Sequence, residues 1–522
     1  MKQNPENRTK RFARNVAWNW LSSGIALIAG VFLSPYLIRK LGSDGYGVWT
    51  LSFALVEYYW LLDLGFRSAV VKFIAHHAAI NDQAGINRVL NTALLYGLGM
   101  ASVIASLLII AGRFAERWFQ IPPSYRESFL VLLGLITLSW CLGAVFSIFS
   151  GAIEAKQHFD MTNRVAIVTT AVRTASTFAL LAMGYGLVQI GIAVIASQII
   201  GYVLNYLQFR GVFPMARLSW RFASFSMLRE MARFGIHSFT ANIATQLVNQ
   251  GPLVVIGHFN PAAYVGFFSL PLRLLQYGFD FVGRIGLVTN AAAADFTARQ
   301  DGERLRKLAV YPNRYSLTMF MPLAILLWTR GDQILTRWVG RDFAMHSAPV
   351  LPILLIGYVL AIVGQFSSSM LLIGAGKHRR YARALLAEAF VVILGLWWIV
   401  PRYGIIGAAW VVTIAMIVNR GMFTPWLVSN EIGVRWLHYM RMIYVAPLLA
   451  AIPPAALSML LARTLLPAAT WPQLATHGIL IGLVYAASAW FLCLDQEHRR
   501  TVQSWVLQAA ERARGKRSSP VM

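Results

Sequence analysis

A chain of 522 residues could form several soluble domains, but 57% of its residues are hydrophobic and only 13% are charged. This composition excludes an ordinary water-soluble protein and is typical of one that lies mostly within a membrane. In a soluble protein the formal net charge of +25 would indicate nucleic acid as a partner. In a membrane protein basic loops and anionic lipid headgroups explain such a charge, so we expect membrane lipids and no nucleic acid as partners.

Apolar runs of about 20 residues, the length that crosses a hydrocarbon core about 30 Å thick, recur along the whole chain. We therefore predict an all-α polytopic membrane protein with fourteen transmembrane helices. Their approximate limits are residues 16–38, 46–66, 89–112, 128–153, 165–184, 187–208, 234–257, 263–290, 312–330, 348–374, 382–400, 404–428, 442–464 and 473–494. The first run lacks a clean small-residue cleavage site, so we interpret it as an uncleaved helix.

Lysine and arginine are distributed unequally between alternate loops. Most of the 46 such residues fall in the N-terminus, the even-numbered loops and the C-terminal tail, and few fall in the odd-numbered loops. Arg173, Arg273 and Arg284 lie inside predicted helices. Because cytoplasmic loops carry the basic excess, we predict a multi-pass membrane protein with both termini in the cytoplasm.

The loops are all short, which leaves no room for an extramembrane catalytic domain. Cys141 and Cys493 both fall within predicted helices and indicate neither a disulfide framework nor a metal-ligand cluster. We therefore expect no catalytic residues, no metal site and no bound cofactor.

Three short similarities indicate an internal duplication, because they recur at offsets of 218 to 221 residues. They pair residues 46–51 with 265–270, 155–158 with 376–379, and 185–187 with 403–405. Halves of six helices share one orientation and are related by an axis along the membrane normal, with a central cavity between them. The predicted organisation is an N-terminal six-helix lobe at 1–215, a C-terminal six-helix lobe at 216–430, two additional transmembrane helices at 431–494 and a basic cytoplasmic tail at 495–522.

Polar residues form stripes along several predicted helices. A charge in hydrocarbon costs several kcal/mol, so such residues usually face the bundle interior or a hydrated cavity. A net positive interior suits an anionic ligand such as a pyrophosphate, which arginine can bind through two hydrogen bonds. For the uncharged residues, hydrogen bonding between packed helices is the alternative. The predicted substrate-binding residues of this cationic cavity are Arg173, Asn242, Gln246, Asn249, Arg273, Gln276 and Arg284.

Five further charged residues are candidates for ion coupling or gating. Glu57 and Glu388 lie deep within predicted helices, where a desolvated carboxylate can take up and release a proton; either could instead be a counter-ion to Arg173 or Arg273. Asp280 belongs to the stripe of the eighth helix. Asp63 and Arg67 are four residues apart at the end of the second helix and could form an interfacial anchor or an inner gate.

Residues 41–75, LGSDGYGVWTLSFALVEYYWLLDLGFRSAVVKFIA, resemble the first two helices of the polysaccharide transporter family. The elements that carry the resemblance are Leu41 with Gly42, Tyr46 with Gly47, Trp49, Asp63 to Gly65, and Lys72. Residues 150–163, SGAIEAKQHFDMTN, are similar to the family's loop after the fourth helix. These proteins are the O-antigen and exopolysaccharide flippases of the multidrug/oligosaccharidyl-lipid/polysaccharide exporter superfamily.

The resemblance implies a flippase of the bacterial inner membrane that moves an undecaprenyl-pyrophosphate-linked oligosaccharide from the cytoplasmic to the periplasmic leaflet by alternating access. It also implies a proton or sodium gradient as the driving force, and polysaccharide polymerase or assembly proteins as further partners. The alternatives are a multidrug-type exporter of the same superfamily, a membrane glycosyltransferase or polymerase, and a scaffold of an assembly complex. An ATP-driven pump is disfavoured, because the sequence around Gly376 and Lys377 lacks the glycine spacing and the hydroxyl of a phosphate loop.

Overall fold

The structure is a computed structural model that describes residues 5–59, 65–283, 286–464, 470–500 and 503–504. Every regular element in these ranges is helical, which confirms the prediction of an all-α protein. The first helices are α1 (Pro5–Glu57), α2 (Phe66–Ala79), α3 (Gln83–Trp118), α4 (Arg126–Ala155), α5 (Phe159–Ala182), α6 (Leu187–Val212), α7 (Phe225–Phe259) and α8 (Ala262–Gly283). The others are α9 (Gly286–Ala298), α10 (Gly302–Val339), α11 (Arg341–Ser347), α12 (Val350–Gln365), α13 (Ser367–Gly374), α14 (His378–Met416), α15 (Thr424–Glu431), α16 (Trp436–Thr464) and α17 (Trp471–Leu492).

Two of the long helices are bent at a glycine. Gly42 in α1 has φ of 73° and Gly404 in α14 has φ of 55°, values that glycine adopts without the steric cost of a Cβ atom. Each bent helix therefore contains one predicted span and the first part of the next. Nine stretches of the described residues are long and apolar enough to cross a membrane, and both bent helices are among them. The total of fourteen spans stays a prediction.

The second predicted span differs from the structure at its end. Helix α1 ends at Glu57, and Gly65 has φ of 72° directly before α2 begins at Phe66. A left-handed residue interrupts a right-handed helix, so the helix that contains Arg67 begins after Gly65. Asp63 lies outside the described residues, and the predicted shared face of Asp63 and Arg67 stays a prediction.

The helices pack into two compact units. The first contains the chain up to Leu270 together with Trp338–Phe343 and Leu385–Val411. The second contains Pro271–Arg337, Ala344–Ala384 and the chain from Val412 onward. These units are defined by packing and do not test the predicted lobes, whose boundaries at residues 215 and 430 stay a prediction.

Helix boundaries recur at a constant offset, as a duplication requires. Helices α4 and α13 end at residues 155 and 374, α5 and α14 begin at 159 and 378, and α6 and α15 end at 212 and 431. Each pair is 219 positions apart. The left-handed residues Gln157 and Gly376 also differ by 219, so the similarity that the sequence places at an offset of 221 has a structural register of 219.

Two glycines at that same offset meet where α1 crosses α8 in the first unit. A Cβ atom on Gly47 would lie 1.9 Å from the carbonyl oxygen of Ala262. A Cβ atom on Gly266 would lie 2.9 Å from Cδ1 of Tyr46 and 3.5 Å from the amide nitrogen of Gly47. Contacts this short leave no room for a side chain at Gly47, so glycine sets how closely the two helices approach.

Buried asparagines of α3 bind the backbone of the segment between α6 and α7. Asn91 donates from Nδ2 to the carbonyl of Arg217 (2.8 Å) and accepts from the amide of Ser219 (2.8 Å). Asn87, one helical turn earlier, accepts from the amide of Arg217 (3.0 Å). The segment makes no continuous helix here, and these bonds satisfy backbone groups that have no partner within a helix.

Candidate functional site

Glu57 lies at the end of α1 and is half-buried in the first unit. Its Oε2 accepts a hydrogen bond from Nε2 of Gln250 on α7. Sequence analysis selected Gln246 and Asn249 from α7 but missed Gln250, although residues 246 and 250 are one turn apart on the same face. The polar stripe of α7 therefore reaches the carboxylate that the sequence selects for ion coupling.

The other residues predicted on α7 are placed as follows. Gln246 and Asn249 are both half-buried. Asn242 lies within α7, and its side chain is outside the part of the chain that the structure describes. Glu388, the second candidate for proton coupling, is 4% exposed on α14 within the same unit.

Arg67 forms its ion pair with a residue that the sequence does not indicate. Its Nη2 lies 2.7 Å from Oε1 of Glu154, near the end of α4, and the two side chains are 38% and 18% exposed. Glu154 is 87 residues further along the chain, so helical periodicity gave no signal of this contact. The pair joins α2 to α4 and makes Glu154 a member of the candidate gate.

Arg173 is half-buried on α5. Two hydroxyls that follow it by three and four residues bond to their own helix: Ser176 donates to the carbonyl of Val172 (2.7 Å) and Thr177 donates to the carbonyl of Arg173 (2.8 Å). Such local bonds are common for Ser and Thr within helices. The α5 stripe is therefore a set of locally satisfied hydroxyls around one cationic side chain.

In the second unit the α8 stripe meets two residues from other helices. Gln276 is hydrogen-bonded to the hydroxyl of Tyr358 on α12, and the charges of Asp280 and Arg420 also act on that hydroxyl. Asp280 is exposed, whereas Gln276 and Arg273 are half-buried. Arg284 lies outside the described residues. Gln276 and Asp280, four residues apart on α8, thus lie near a tyrosine and an arginine that the sequence does not indicate, and their roles in binding and gating stay predictions.

Arg420 is 6% exposed and belongs to a π-helical turn at Ile417–Phe423. A Cβ atom on Gly364 of α12 would lie 2.0 Å from the carbonyl oxygen of Arg420, so the π-helical turn packs directly against this glycine. Single π turns inside helices are frequent at functional sites. Arg420 falls within the predicted span 404–428 but is not among the interior arginines that the sequence analysis names; the structure adds it, because the residue is buried within a long apolar helical stretch.

Arg330, the last residue of the predicted span 312–330, is a second interior arginine that the sequence analysis does not name. It is 1% exposed on α10, donates to Oε1 of Gln333 (2.9 Å) and lies 3.3 Å from Nε2 of His477 on α17. Nδ1 of His477 lies 3.1 Å from the carbonyl of Gln473, so the imidazole contacts a backbone acceptor on one side and a guanidinium on the other. This network connects α10 and α17 in the second unit.

These side chains are suited to binding anions and to taking up and releasing protons or cations. Arginine, glutamine and tyrosine offer donors to anionic oxygens, and Glu57, Asp280 and Glu388 can accept cations or protons. Within the described ranges no three His, Cys, Asp or Glu side chains are arranged to hold a metal ion. Both cysteines are free thiols.

Comparison with known proteins gives consistent results. The family model described as "Polysaccharide biosynthesis protein" matches residues 36–347. The chain is 23% identical to EpsK, an uncharacterized membrane protein of Bacillus subtilis, over 94% of this chain and 97% of that protein. It is 21% identical to a Shigella flexneri protein whose proposed role is that of an O-antigen transporter, over 81% and 98% of the two chains.

Solved structures of transporters share the fold. The lipid II flippase MurJ in an inward closed conformation superposes with a TM-score of 0.71 at 13% identity, covering 91% of this chain and 98% of that one. An inward-facing multidrug resistance MATE transporter gives 0.63 at 14% identity, covering 78% and 94%. Because the family model covers more than half of the sequence, this multi-pass membrane protein belongs to the polysaccharide biosynthesis protein family, which confirms the resemblance seen in residues 41–75.

Proposed function

We propose that the protein is a flippase that translocates an undecaprenyl-pyrophosphate-linked oligosaccharide from the cytoplasmic to the periplasmic leaflet. The product would serve synthesis of a surface polysaccharide such as O-antigen, capsule or exopolysaccharide. The observation that carries the proposal is the family match, and the likeness of the fold to a lipid II flippase supports it. The role is transport and not catalysis.

The interior charges support an anionic substrate. Arg420 and Arg330 are almost completely buried, and Arg173 and Arg273 are half-buried in helices. Guanidinium groups bind phosphate oxygens through paired hydrogen bonds and stay charged when desolvated. A carrier of cationic drugs would instead be expected to present an excess of carboxylates. Arg284 remains part of the proposed cationic cavity.

Translocation would be driven by an ion gradient through alternating access. We assign coupling to Glu57 with its partner Gln250, and to Glu388, because carboxylates at depth in a membrane protein are the usual proton or sodium carriers. Asp280 and the pair formed by Arg67 and Glu154 are the candidate gating contacts. The proposed orientation has both termini in the cytoplasm of a bacterial inner membrane, and the polymerase of the pathway is a further proposed partner.

Deletion of the gene tests this function. We expect surface polysaccharide to be lost and the lipid-linked oligosaccharide to accumulate on the cytoplasmic leaflet, where it can be extracted and identified. Complementation with Arg273→Gln or Arg284→Gln should fail although the protein is present in the membrane, whereas the exposed Arg402→Gln serves as the control. Normal surface polysaccharide in the deletion strain, together with increased drug sensitivity, would favour the alternative of a multidrug-type exporter, which shares the fold of the MATE transporter.

A further inference from the structure

A basic pocket of about 730 Å³ opens in the first unit where α2 ends and α3 and α7 begin. Its volume lies within the range of about 300–1,000 Å³ that ligand pockets usually have. The residues that line it are Lys72, Phe73, His76, His77, Arg88, Ser224, Ser226, Met227 and Glu230. None of them belongs to the candidate site described above, so the pocket needs an explanation of its own.

The cationic groups of the pocket are positioned by their neighbours. Nζ of Lys72 lies 3.9 Å from the centroid of the Phe234 ring and 5.1 Å from that of Phe73, so aromatic faces orient the ammonium group. Nδ1 of His77 lies 2.9 Å from Oδ2 of Asp82, which fixes the imidazole ring. The backbone amide of Gly85 and the imidazole of His77 hold the pKa of Asp82 below its usual value, so the carboxylate stays charged.

An apolar groove of about 520 Å³ adjoins the basic pocket. It is lined by Thr92, Leu95, Tyr96, Gly99, Met100, Val103, Ala223, Ser224, Phe225 and Leu228. Leu95, Val103 and Phe225 are 56%, 49% and 81% exposed, which is far more than packing inside a core would leave. The groove therefore offers an open apolar surface along α3.

Ser224 lines both cavities and joins them. Its amide donates to Oγ1 of Thr92 (3.0 Å), and its hydroxyl lies 2.8 Å from that of Ser226. The bonds from Asn87 and Asn91 hold the preceding backbone against α3. A ligand lying across Ser224 would thus place one end among cations and the other among aliphatic and aromatic side chains.

We propose that the pocket and groove form a docking site for a polyprenyl diphosphate that carries a sugar. Lys72 and Arg88 match the two negative charges of a diphosphate diester, and the groove accepts the first isoprene units. Glu230 has only acceptor oxygens and would repel a bare phosphate, but it accepts hydrogen bonds from sugar hydroxyls. The inference rests on the proposed function, since it names the place where the substrate of that function first binds.

The charged half of the site is tested by binding of farnesyl diphosphate to the purified full-length protein in detergent, measured by titration calorimetry. The double variant Lys72→Gln with Arg88→Gln should weaken binding by about tenfold or more, because it removes two charge-assisted contacts. The matched control changes Arg304→Gln and Lys307→Gln, an exposed basic pair elsewhere on the chain. Equal affinity in the site variant and the wild type would overturn the proposal, and so would equal weakening by the control.

The apolar half is tested by filling the groove. Gly99→Phe adds a ring where no atom lies within 4 Å of the new Cβ position, and Gly112→Phe on the same helix has equally open surroundings and is the control. Gly99→Phe should weaken binding of farnesyl diphosphate severalfold and leave binding of inorganic pyrophosphate unchanged. Pyrophosphate that binds as tightly as farnesyl diphosphate, or phosphatidylglycerol that competes equally well, would overturn the assignment to a polyprenyl diphosphate.

The inference and the proposed function fail separately. If the wild-type gene restores surface polysaccharide while the site variants bind farnesyl diphosphate normally, the docking site is wrong and the function stands. If the site variants lose binding as expected but the deletion strain keeps its surface polysaccharide, the flippase function is wrong and the site binds its lipid for another purpose. Size-exclusion chromatography of each variant verifies folding before binding is measured.

Discussion

The attachment of the segment between α6 and α7 to α3 gives a prediction with a calculable size. Asn91→Ala removes the donor to the carbonyl of Arg217 and the acceptor of the amide of Ser219, at distances of 2.8 Å each. Asn91 is 4% exposed, so water does not readily replace either bond in the closed segment. The segment should therefore detach from α3 more often, while the helices around it stay folded.

The expected effect follows from the two bonds. A typical intramolecular hydrogen bond contributes about 1 kcal/mol net, so losing both should lower the free energy of local opening by about 2 kcal/mol. A change of about 1.4 kcal/mol is tenfold in an equilibrium constant, so the open population should rise by roughly 30-fold. When closing is faster than cleavage, the rate of proteolysis rises by the same factor.

Limited trypsin digestion of the purified protein measures this directly. Cleavage after Arg217 and Arg221, both with exposed side chains, gives fragments that mass spectrometry can quantify over time. Asn163→Ala is the matched control. Asn163 also donates to a backbone carbonyl, that of Phe159 (2.8 Å), but this bond is exposed and lies within α5. Cleavage of the Asn91 variant at the rate of the control would refute the role assigned to these bonds.

Three further changes have defined outcomes. Gly47→Ala should lower the free energy of unfolding by about 2 kcal/mol and reduce the thermal midpoint accordingly, because the new methyl group meets a backbone carbonyl. Gly112→Ala, in open surroundings, should leave the midpoint unchanged. Equal midpoints for the two variants would contradict the close crossing. A double-mutant cycle of Arg67→Gln and Glu154→Gln should give a coupling of about 1 kcal/mol, and additive effects would exclude the ion pair. The pKa of Asp82 in the folded protein is held below its usual 3.8, so the charged carboxylate stabilises the fold. This contribution is complete above pH 3.8 and is lost as the pH falls through the lower pKa of the folded state. Asp82→Asn should remove this part of the pH dependence of the thermal midpoint. An unchanged pH profile would contradict that assignment.

The features that depend on local sequence could be predicted. Apolar runs identified the helical class, and residues 41–75 identified the family that the comparison confirms. The sequence separates two spans near Gly42 and two at Gly404, and both glycines have left-handed φ values in the structure. Hydropathy marks where an apolar run ends, but it does not show that the helices on either side meet at a single glycine. The offset of 219 could be found only approximately, since the sequence similarities are short and helix ends define the register better.

Contacts between distant parts of the chain could not be predicted from one sequence. The partners Glu154 for Arg67 and Gln250 for Glu57 follow from tertiary packing, which leaves no periodic pattern. Arg330 was not named as an interior charge, because an arginine at the end of an apolar run looks like an interfacial one. It contacts a histidine 147 residues later in the chain. Buried charges are therefore the class of residue that one sequence reveals least.

The crossing of Gly47 and Gly266 has a consequence for how the protein tolerates change. The predicted duplication makes these two residues equivalent, and contact between equivalent residues is the pattern of a self-complementary interface on a two-fold axis in a homodimer. In a homodimer one substitution alters such a contact twice. In this chain the two glycines can vary separately, but each still limits the other, so their substitutions should be non-additive. The crossing is therefore a place where one half of the predicted duplication restricts which residues the other half can accept.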